Sequence, residues 1–419
     1  MNILQDLEFR ELIYQVTDAD ELQQRLAAGP ITLYIGFDPT ADSLHVGHLL
    51  PVIGLRRFQK AGHLPIALVG GGTGLIGDPS GKVSERALGP ADQIEEWTGS
   101  IRKQLKRYLD FDAKTNPARL ENNYRWLGEL EVINFLREIG KHFSLGSMLA
   151  KESVRSRLSA GISYTEFSYM ILQSYDFLKL NELYNCELQA GGSDQWGNIT
   201  TGIDLIRRVT NRKAYGLTFP LITKSDGTKF GKTEGEAVWL DPARTSPYQF
   251  YQFWFNTDDR DVIKFIKFFT FLSHAEILNL QEEVENNPGK RVAQRTLARE
   301  VTALVHDQKA VTKSEKIAQT LFYGDLQSLT AAEIEEAFQG IPSLTSSAKE
   351  YGLVDLLVKS GLSSSRRQAR EDIKNRSIRI NNIPETNIHK VLRLEDRLCG
   401  KYTLLLRGKK NHFLVKWLT

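Results

Sequence analysis

Cysteine is nearly absent: Cys186 and Cys399 are the only two in 419 residues. They form no CxxC pair and have no zinc-ligand spacing, which excludes a thiolate zinc site and a disulfide framework. Two isolated thiols fit a reduced cytoplasm, where they serve as packing residues. Long apolar runs are missing too. No stretch approaches the roughly 18 residues that a membrane span needs, and the opening MNILQDLEFRELIYQ alternates charge with apolar residues, without a signal-peptide core. Repeats and low-complexity tracts are also lacking. What remains is a normal globular mix, 41% hydrophobic and 25% charged, and 419 residues exceed one ordinary core, so two or three domains are expected.

The net charge of +3 hides a segregation. Residues 351–419 hold 15 Lys or Arg against 6 Asp or Glu, while the rest of the chain holds 39 against 45. A small basic module on an acidic body suggests a polyanionic partner held by one end.

The most informative stretch is ITLYIGFDPTADSLHVGHLLP, residues 31–51. Its apolar and β-branched start predicts a strand over 31–37, then a turn-rich loop over 38–43, then a helix beginning near Gly47. Two imidazoles, His45 and His48, flank the junction. A helix N-terminus presents unpaired N–H groups and a partial positive charge, which suits phosphate. Histidine can donate to phosphate oxygens without full charge, and Gly47 lets a flat ligand approach the backbone. A strand over 65–69 then runs into Gly70-Gly71-Gly72. Strand, helix, strand at this spacing is a βαβ unit, so a parallel sheet flanked by helices is expected. Glycines after such a strand mark either a ligand crevice or an ordinary turn. The following LIGDPSGK, with Asp78, Lys82 and Arg86, favours the crevice.

Several helices are expected between 92 and 160, with Val132, Leu136 and Ile139 forming one apolar face. In TEFSYMILQSYDFL, residues 165–178, the side chains of Tyr169, Gln173 and Asp176 share a helix face at i, i+4 and i+7. Their neighbours are large and apolar, so this face borders a cavity, and a buried Asp there needs a partner. GGSDQW, residues 191–196, supplies close-approach glycines and an acidic acceptor, although such a run also serves as a simple turn. A loop with glycines at 227 and 231 then carries Lys229 and Lys232. From 246 to about 322 the chain is helical, and the aromatic run YQFYQFWF reads as core. Residues 323–349, rich in Gly, Pro and Ser, read as a linker. The last unit shows a helix with Leu353, Leu356 and Leu357. A second helix carries Arg366 and the stripe Arg367, Arg370 and Lys374. A strand pattern at 378–380 and a hairpin around Gly408-Lys409-Lys410-Asn411 follow.

HVGH and KFGKT together resemble the HIGH and KMSKS motifs of class I aminoacyl-tRNA synthetases. YIGFDPTADSLHVGH, GLIGDPSGK, TEFSYMILQSYD, GGSDQWGN and DGTKFGKT resemble the bacterial tyrosine-specific branch in particular. The resemblance implies an α/β Rossmann-like catalytic domain over 1–245, an α-helical domain over 246–322, a linker over 323–349 and a small α+β RNA-binding domain over 350–419. The last resembles the S-four type, named for a ribosomal protein, with Arg366, Arg367, Arg370, Lys374, Lys409 and Lys410 as RNA-binding residues. It further implies activation of tyrosine by ATP, transfer to the terminal ribose of tRNA, a cytoplasmic homodimer without membrane contact, and Mg²⁺ carried on ATP, with no protein metal cage.

On the same grounds Tyr34 and Asp176 bind the substrate phenol, and Asp78, Tyr169 and Gln173 its ammonium group. Gly36, Asp38, Gly192, Asp194 and Gln195 border the adenylate. The first step places charge on the phosphates, so preorganised donors are needed and a protein nucleophile is not. Thr40, His45, His48, Lys229 and Lys232 take that role, with Lys82 and Arg86 reaching the pyrophosphate. Val46, Phe230, Gly231 and Thr233 depart from the consensus motifs. Ile35 and Pro51 offer the ribose no side-chain hydrogen bond, and Pro51 is expected within a first helical turn. Three rivals stand beside this reading. A tryptophan-specific synthetase fits Tyr34 with Asp176 less well. A small-molecule nucleotidyltransferase would not need the basic C-terminal domain. A non-catalytic RNA-binding protein would not need both lysines.

Overall fold

The computed structural model describes every residue except 1, 81–88, 159–160, 229, 234–235, 325, 409–410 and 419. Lys82, Arg86, Lys229, Lys409 and Lys410 therefore lie outside the described residues, and Lys232 is described by its backbone alone. Contacts divide the chain into Met1–Asp241 with Asn256–Val301, and Pro242–Phe255 with Thr302–Thr419.

The first unit is built on six strands: β1 (Gln15–Val16), β2 (Thr32–Phe37), β3 (Leu64–Val69), β4 (Arg119–Asn122), β5 (Cys186–Gly192) and β6 (Tyr215–Phe219). Their order across the sheet is β1-β6-β5-β2-β3-β4. All neighbours are parallel except β1, which pairs antiparallel with β6, so the expected parallel sheet has one reversed edge. TLYIGF and LPIALV are almost continuously apolar because both faces are covered; Leu33, Ile35, Ile66 and Val69 are all buried. The chain leads from β2 outward to β3 and β4, then returns to β5 on the other side of β2. That reversal opens a crevice at the carboxyl ends of β2 and β5. Gly36 is the one exposed residue of β2, so the crevice reaches bare backbone there.

Four helices position the residues of interest: α1 (Ile3–Phe9), α2 (Val46–Lys60), α3 (Tyr164–Tyr184) and α4 (Trp196–Thr210). A fifth, α5 (Asp259–Phe269), comes from the stretch expected to form a separate helical domain, yet it belongs to this unit. Ser163 caps α3 by accepting the Glu166 N–H, and Asn185 ends it in the left-handed region at φ 50°. Pro51 sits at the sixth residue of α2, past the first turn, and so removes the bond that its N–H would make to the Gly47 carbonyl. Of the apolar face expected at 132–139, Ile139 packs partly buried against the core around Phe177 and Leu178, whereas Val132 is 69% and Leu136 49% exposed.

The second unit contains the helices α6 (Gln308–Tyr323), α7 (Ala331–Ala337), α8 (Leu353–Lys359) and α9 (Arg366–Lys374). Its five-stranded sheet consists of β7 (Ser343–Ser346), β8 (Ile378–Ile380), β9 (Ile383–Pro384), β10 (Tyr402–Arg407) and β11 (Asn411–Trp417), in the order β9-β8-β10-β11-β7. The aromatic run over 248–255 is core, with Phe250, Tyr251 and Trp254 buried. The linker expected at 323–349 is instead structured. Strand period explains this: Leu405 of β10 joins one cluster with Leu353, Leu356 and Ile373, whereas Leu404 and Leu406 point the other way. Those two need a cover, and Leu326, Ile334 and Phe338 supply it. Strand β7 then pairs parallel to β11, Leu344 facing Val415.

Candidate active site

His45 is the N-cap of α2. Its Nδ1 accepts the Gly47 N–H at 3.0 Å, and His48 Nδ1 accepts the His45 N–H at 3.2 Å. Each neutral ring therefore carries its proton on Nε2, because Nδ1 is already an acceptor. The rings lie 3.9 Å apart between centroids. Gly47 is needed for the histidine itself: a Cβ there would stand 2.7 Å from the His45 ring. This is a requirement in addition to the expected one, close approach of a ligand. Thr40 lies exposed in the preceding turn.

The second motif comes to the same place through a segment with no sequence signal. Val46 N–H donates to the Val238 carbonyl at 2.9 Å, and Leu240 N–H to Leu44 at 2.8 Å. Val238 N–H in turn donates to the Gly231 carbonyl at 3.0 Å. Gly231, at φ 84°, sits so close to Val46 that a Cβ would meet its methyl at 2.9 Å. The backbone at Gly231 is thus bound to the start of α2 through residues 238–240.

Around the ends of β2, β3 and β5 a polar network gathers the remaining candidates. Asp176, on α3, accepts from Trp126 Nε1 at 2.7 Å and from Asn123 Nδ2 at 2.9 Å. Asn123 also donates to Thr73 Oγ1 at 2.8 Å, and Thr73 donates to Asp38 at 2.7 Å. The other Asp38 oxygen accepts the Tyr169 hydroxyl at 2.7 Å. A Cβ at Gly70 would collide with that carboxylate, so the glycine run is a close approach and not a mere turn. Gln195 donates to Asp78 at 2.7 Å and to Asp194 at 3.2 Å, and accepts from Gln173 at 3.2 Å. Gly192 adjoins Asp194. Tyr34 is 1% exposed, and its hydroxyl has no hydrogen-bond partner among the described residues.

Tyr34, Gly36, Asp38, Asp78, Tyr169, Gln173, Asp176, Gly192, Asp194 and Gln195 all belong to the crevice strands, their loops or the helix face beside them. Reading the residues missed Asn123, Trp126, Thr73 and Asn198. Asn198 joins Gln173 and Gln195 at 3.0 and 3.2 Å. ENNYRWL has no periodicity or spacing that marks Asn123 and Trp126, since their partner is distant in sequence.

Burial pushes the Asp176 carboxyl up to about 7; the Asn123 and Trp126 donors hold it lower, and Asp38 adds to the rise. Burial also raises Tyr169 and Tyr34, helped by Asp38 and Asp176 respectively. The sign for stability follows. Folded Asp176 keeps its proton up to about pH 7, whereas unfolded Asp releases it near pH 4, so this contribution is complete below about pH 4 and is lost as pH rises through 7. The unliganded protein should lose up to about 1.4 kcal/mol per pH unit over that window, a slope that Asp176→Asn removes. Urea unfolding of both proteins near pH 5 and near pH 8 reads it, and equal slopes would contradict the buried acid.

A family model described as "tRNA synthetases class I (W and Y)" matches residues 26–323, and a second, "Tyrosine--tRNA ligase SYY-like C-terminal domain", matches 333–415. The tyrosine–tRNA ligase of Desulfitobacterium hafniense is 62% identical over 99% of this chain and its own full length. That of Geobacillus stearothermophilus is 56% identical over the whole of both. The chain belongs to the class I tRNA synthetases. A C-terminally truncated mitochondrial tyrosyl-tRNA synthetase from Aspergillus nidulans superposes with a TM-score of 0.70 at 31% identity, covering 77% of this chain and 94% of that one. In this synthetase the stripe expected to meet RNA lies on α9. Arg366 pairs with Asp355 at 2.7 Å and Arg367 with Glu371 at 3.3 Å, while Arg370 and Lys374 are exposed. Exposed pairs of this kind are weak and exchange readily for phosphate.

Proposed function

We propose that this class I synthetase joins tyrosine to tRNA in two steps, with the crevice of the first unit as its catalytic centre. Its activity is that of a tyrosine–tRNA ligase: tyrosine and ATP give tyrosyl-adenylate and pyrophosphate, and the tyrosyl group then moves to the 3′-terminal ribose. The observation that carries the choice of amino acid is the orphaned Tyr34 hydroxyl. A buried hydroxyl without a partner is costly, and a substrate phenol would satisfy it. Asp176, whose charge adds to the rise of the Tyr34 hydroxyl, accepts a hydrogen bond from the substrate phenol. Asp78, Tyr169 and Gln173 bind the ammonium group, in a region made negative by Asp38 and Asp78.

In the first step the tyrosine carboxylate attacks the α-phosphate and pyrophosphate leaves. Thr40, the Nε2–H groups of His45 and His48, and the amines of Lys229 and Lys232 donate to the charged oxygens, with Lys82 and Arg86 on the departing pyrophosphate. Gly36, Gly47, Asp38, Gly192, Asp194 and Gln195 border the nucleotide. Mg²⁺ enters as counter-ion of the substrate ATP; among the described residues no group of three or more acidic, histidine or cysteine side chains could hold a metal. The basic stripe of α9, with Lys409 and Lys410, binds the tRNA backbone. A second copy of this chain covers the exposed apolar residues Val132, Ile133 and Leu136, giving a homodimer. The two unbridged thiols fit the cytoplasm. Among the described residues no helix is long and apolar enough to cross a membrane.

Tyr34→Phe tests the pocket in ATP–pyrophosphate exchange with tyrosine and with phenylalanine. Removing an unsatisfied hydroxyl should leave the unliganded protein as stable or more so, while discrimination against phenylalanine falls by roughly 0.5–1.5 kcal/mol. Unchanged discrimination there and in Asp176→Ala would refute the assignment.

A further inference from the structure

Beside the crevice, the side-chain amides of Asn198, Gln173 and Gln195 form a directed chain of hydrogen bonds that ends on Asp78 and Asp194. The carboxylates fix its direction, because a carboxylate accepts and does not donate. Gln195 therefore turns its Nε2 to them, at 2.7 and 3.2 Å, and its Oε1 is left as an acceptor. Gln173 Nε2 and Asn198 Nδ2 both donate to that oxygen, each at 3.2 Å. With its Nε2 so committed, Gln173 presents its own Oε1, which Asn198 Nδ2 reaches at 3.0 Å. Asn198 thus heads the chain and donates to both glutamines, while its Nδ2 also lies 3.3 Å from Ser80 Oγ.

The fold places Asn198 for this. It stands in the first turn of α4, three positions after Gln195, a spacing that sets the two side chains next to each other. Gly202, one turn further on, lets α3 come close, since a Cβ there would meet the Phe177 ring at 3.1 Å. Gln173, one turn before Phe177 on α3, is brought within reach in this way. Asn198 is 2% exposed, so water does not replace it, and its loss would leave Gln173 Oε1 without a donor among the described residues. A carbonyl oxygen has two lone pairs, so Gln173 Oε1 keeps one for a further donor. The ammonium group assigned to Gln173 is such a donor.

We propose that Asn198 is a positioning residue for the amino group of tyrosine: by donating to Gln173 and Gln195 together, it holds Gln173 with its oxygen, and not its NH2, toward the ammonium. The proposal rests on the ammonium role given to Gln173 under Proposed function. Asn198 acts through the glutamines and is given no contact with the substrate.

The test measures equilibrium binding, without ATP, of tyrosine, of tyramine, which keeps the phenol and the ammonium, and of 4-ethylphenol, which keeps the phenol alone. Asn198→Ala, Asn198→Asp, Gln173→Ala and the double variant Asn198→Ala/Gln173→Ala are compared with wild type. In Asn198→Ala, affinity for tyrosine and tyramine should fall about 5- to 20-fold, as for loss of one or two neutral hydrogen bonds, while that for 4-ethylphenol stays within about twofold. Asn198→Asp has nearly the same shape but no donor, so its carboxylate repels both amide oxygens and draws the Gln173 NH2 round. Tyramine should bind that variant at least as weakly as Asn198→Ala, although added negative charge alone would favour a cation. The double variant should bind tyramine no more weakly than Gln173→Ala by more than about twofold, since the two residues act through one interaction. Wild-type tyramine affinity in Asn198→Ala would overturn the proposal. So would tyramine and 4-ethylphenol affinities that fall together, tighter tyramine binding in Asn198→Asp, or multiplying effects in the double variant. If Asn198→Ala does not fold, Asn198→Asp carries the same comparison. Wild-type tyramine affinity in Gln173→Ala would instead refute the role of that glutamine, and the proposal with it.

Discussion

With His45 replaced by Ala, tyrosyl-adenylate formation is expected to slow about 10²- to 10³-fold, the usual cost of deleting one preorganised donor to a developing charge. Tyrosine affinity should change little, because the role proposed for the histidine is toward the phosphates. The substitution also removes the N-cap of α2, so a second variant is needed. Loss of a cap costs about 1 kcal/mol of stability, and Asn is among the best replacements. His45→Asn should therefore keep an acceptor for the Gly47 N–H and restore stability while the rate stays low, because its side chain is too short to reproduce the Nε2–H donor. Quench-flow rates beside equilibrium tyrosine binding separate the two. A rate that recovers with the cap would reduce His45 to a structural residue.

Removing residues 324–419 is the second large expected effect. The truncated chain should still make tyrosyl-adenylate, since every residue matched to that step precedes 234. It should charge tRNA at most about 10⁻³ as well, because it loses the basic stripe that releases phosphate counterions. The cut belongs at 323 and not at 349. A cut at 323 still uncovers Ile317 of the same cluster, but one at 349 would also strand Leu326, Ile334 and Phe338 by taking away Leu404, Leu406 and Leu414, against which they pack, leaving a larger exposed apolar face. In the intact protein, charge reversal at Arg367 and Arg370 should weaken tRNA binding, and that binding should fall steeply with salt. If exchange and charging vanish together in a folded 1–323 protein, the C-terminal part is needed by the catalytic centre. If both survive, its role in tRNA binding is wrong.

Local pattern made the β2–turn–α2 element, the polar face of α3 and the C-terminal hairpin legible, because each is set by residues a few positions apart. The crevice followed from βαβ spacing. Where long-range pairing decides, sequence reading failed. Residues 323–349 carry Gly, Pro and Ser, yet they fold because alternate residues of β10 need a second core. Helix α5 has an ordinary amphipathic pattern that does not say which unit it joins. Asn123 and Trp126 hold Asp176 from 50 or more positions away, and no spacing announces that. The face at Val132 and Leu136 was visible as apolar, but not that it lies uncovered within the chain. The family resemblance chose the roles of Tyr34 and Asp176; the structure contributes the orphaned hydroxyl that gives the choice a physical reason.

The most direct measurement is ATP–pyrophosphate exchange by the purified full chain without tRNA, supplied in turn with tyrosine, phenylalanine and tryptophan. The crevice described here predicts exchange with tyrosine, far weaker exchange with the other two, and none without an amino acid. Exchange that is strongest with tryptophan, that ignores the amino acid, or that is absent from a folded preparation would contradict it.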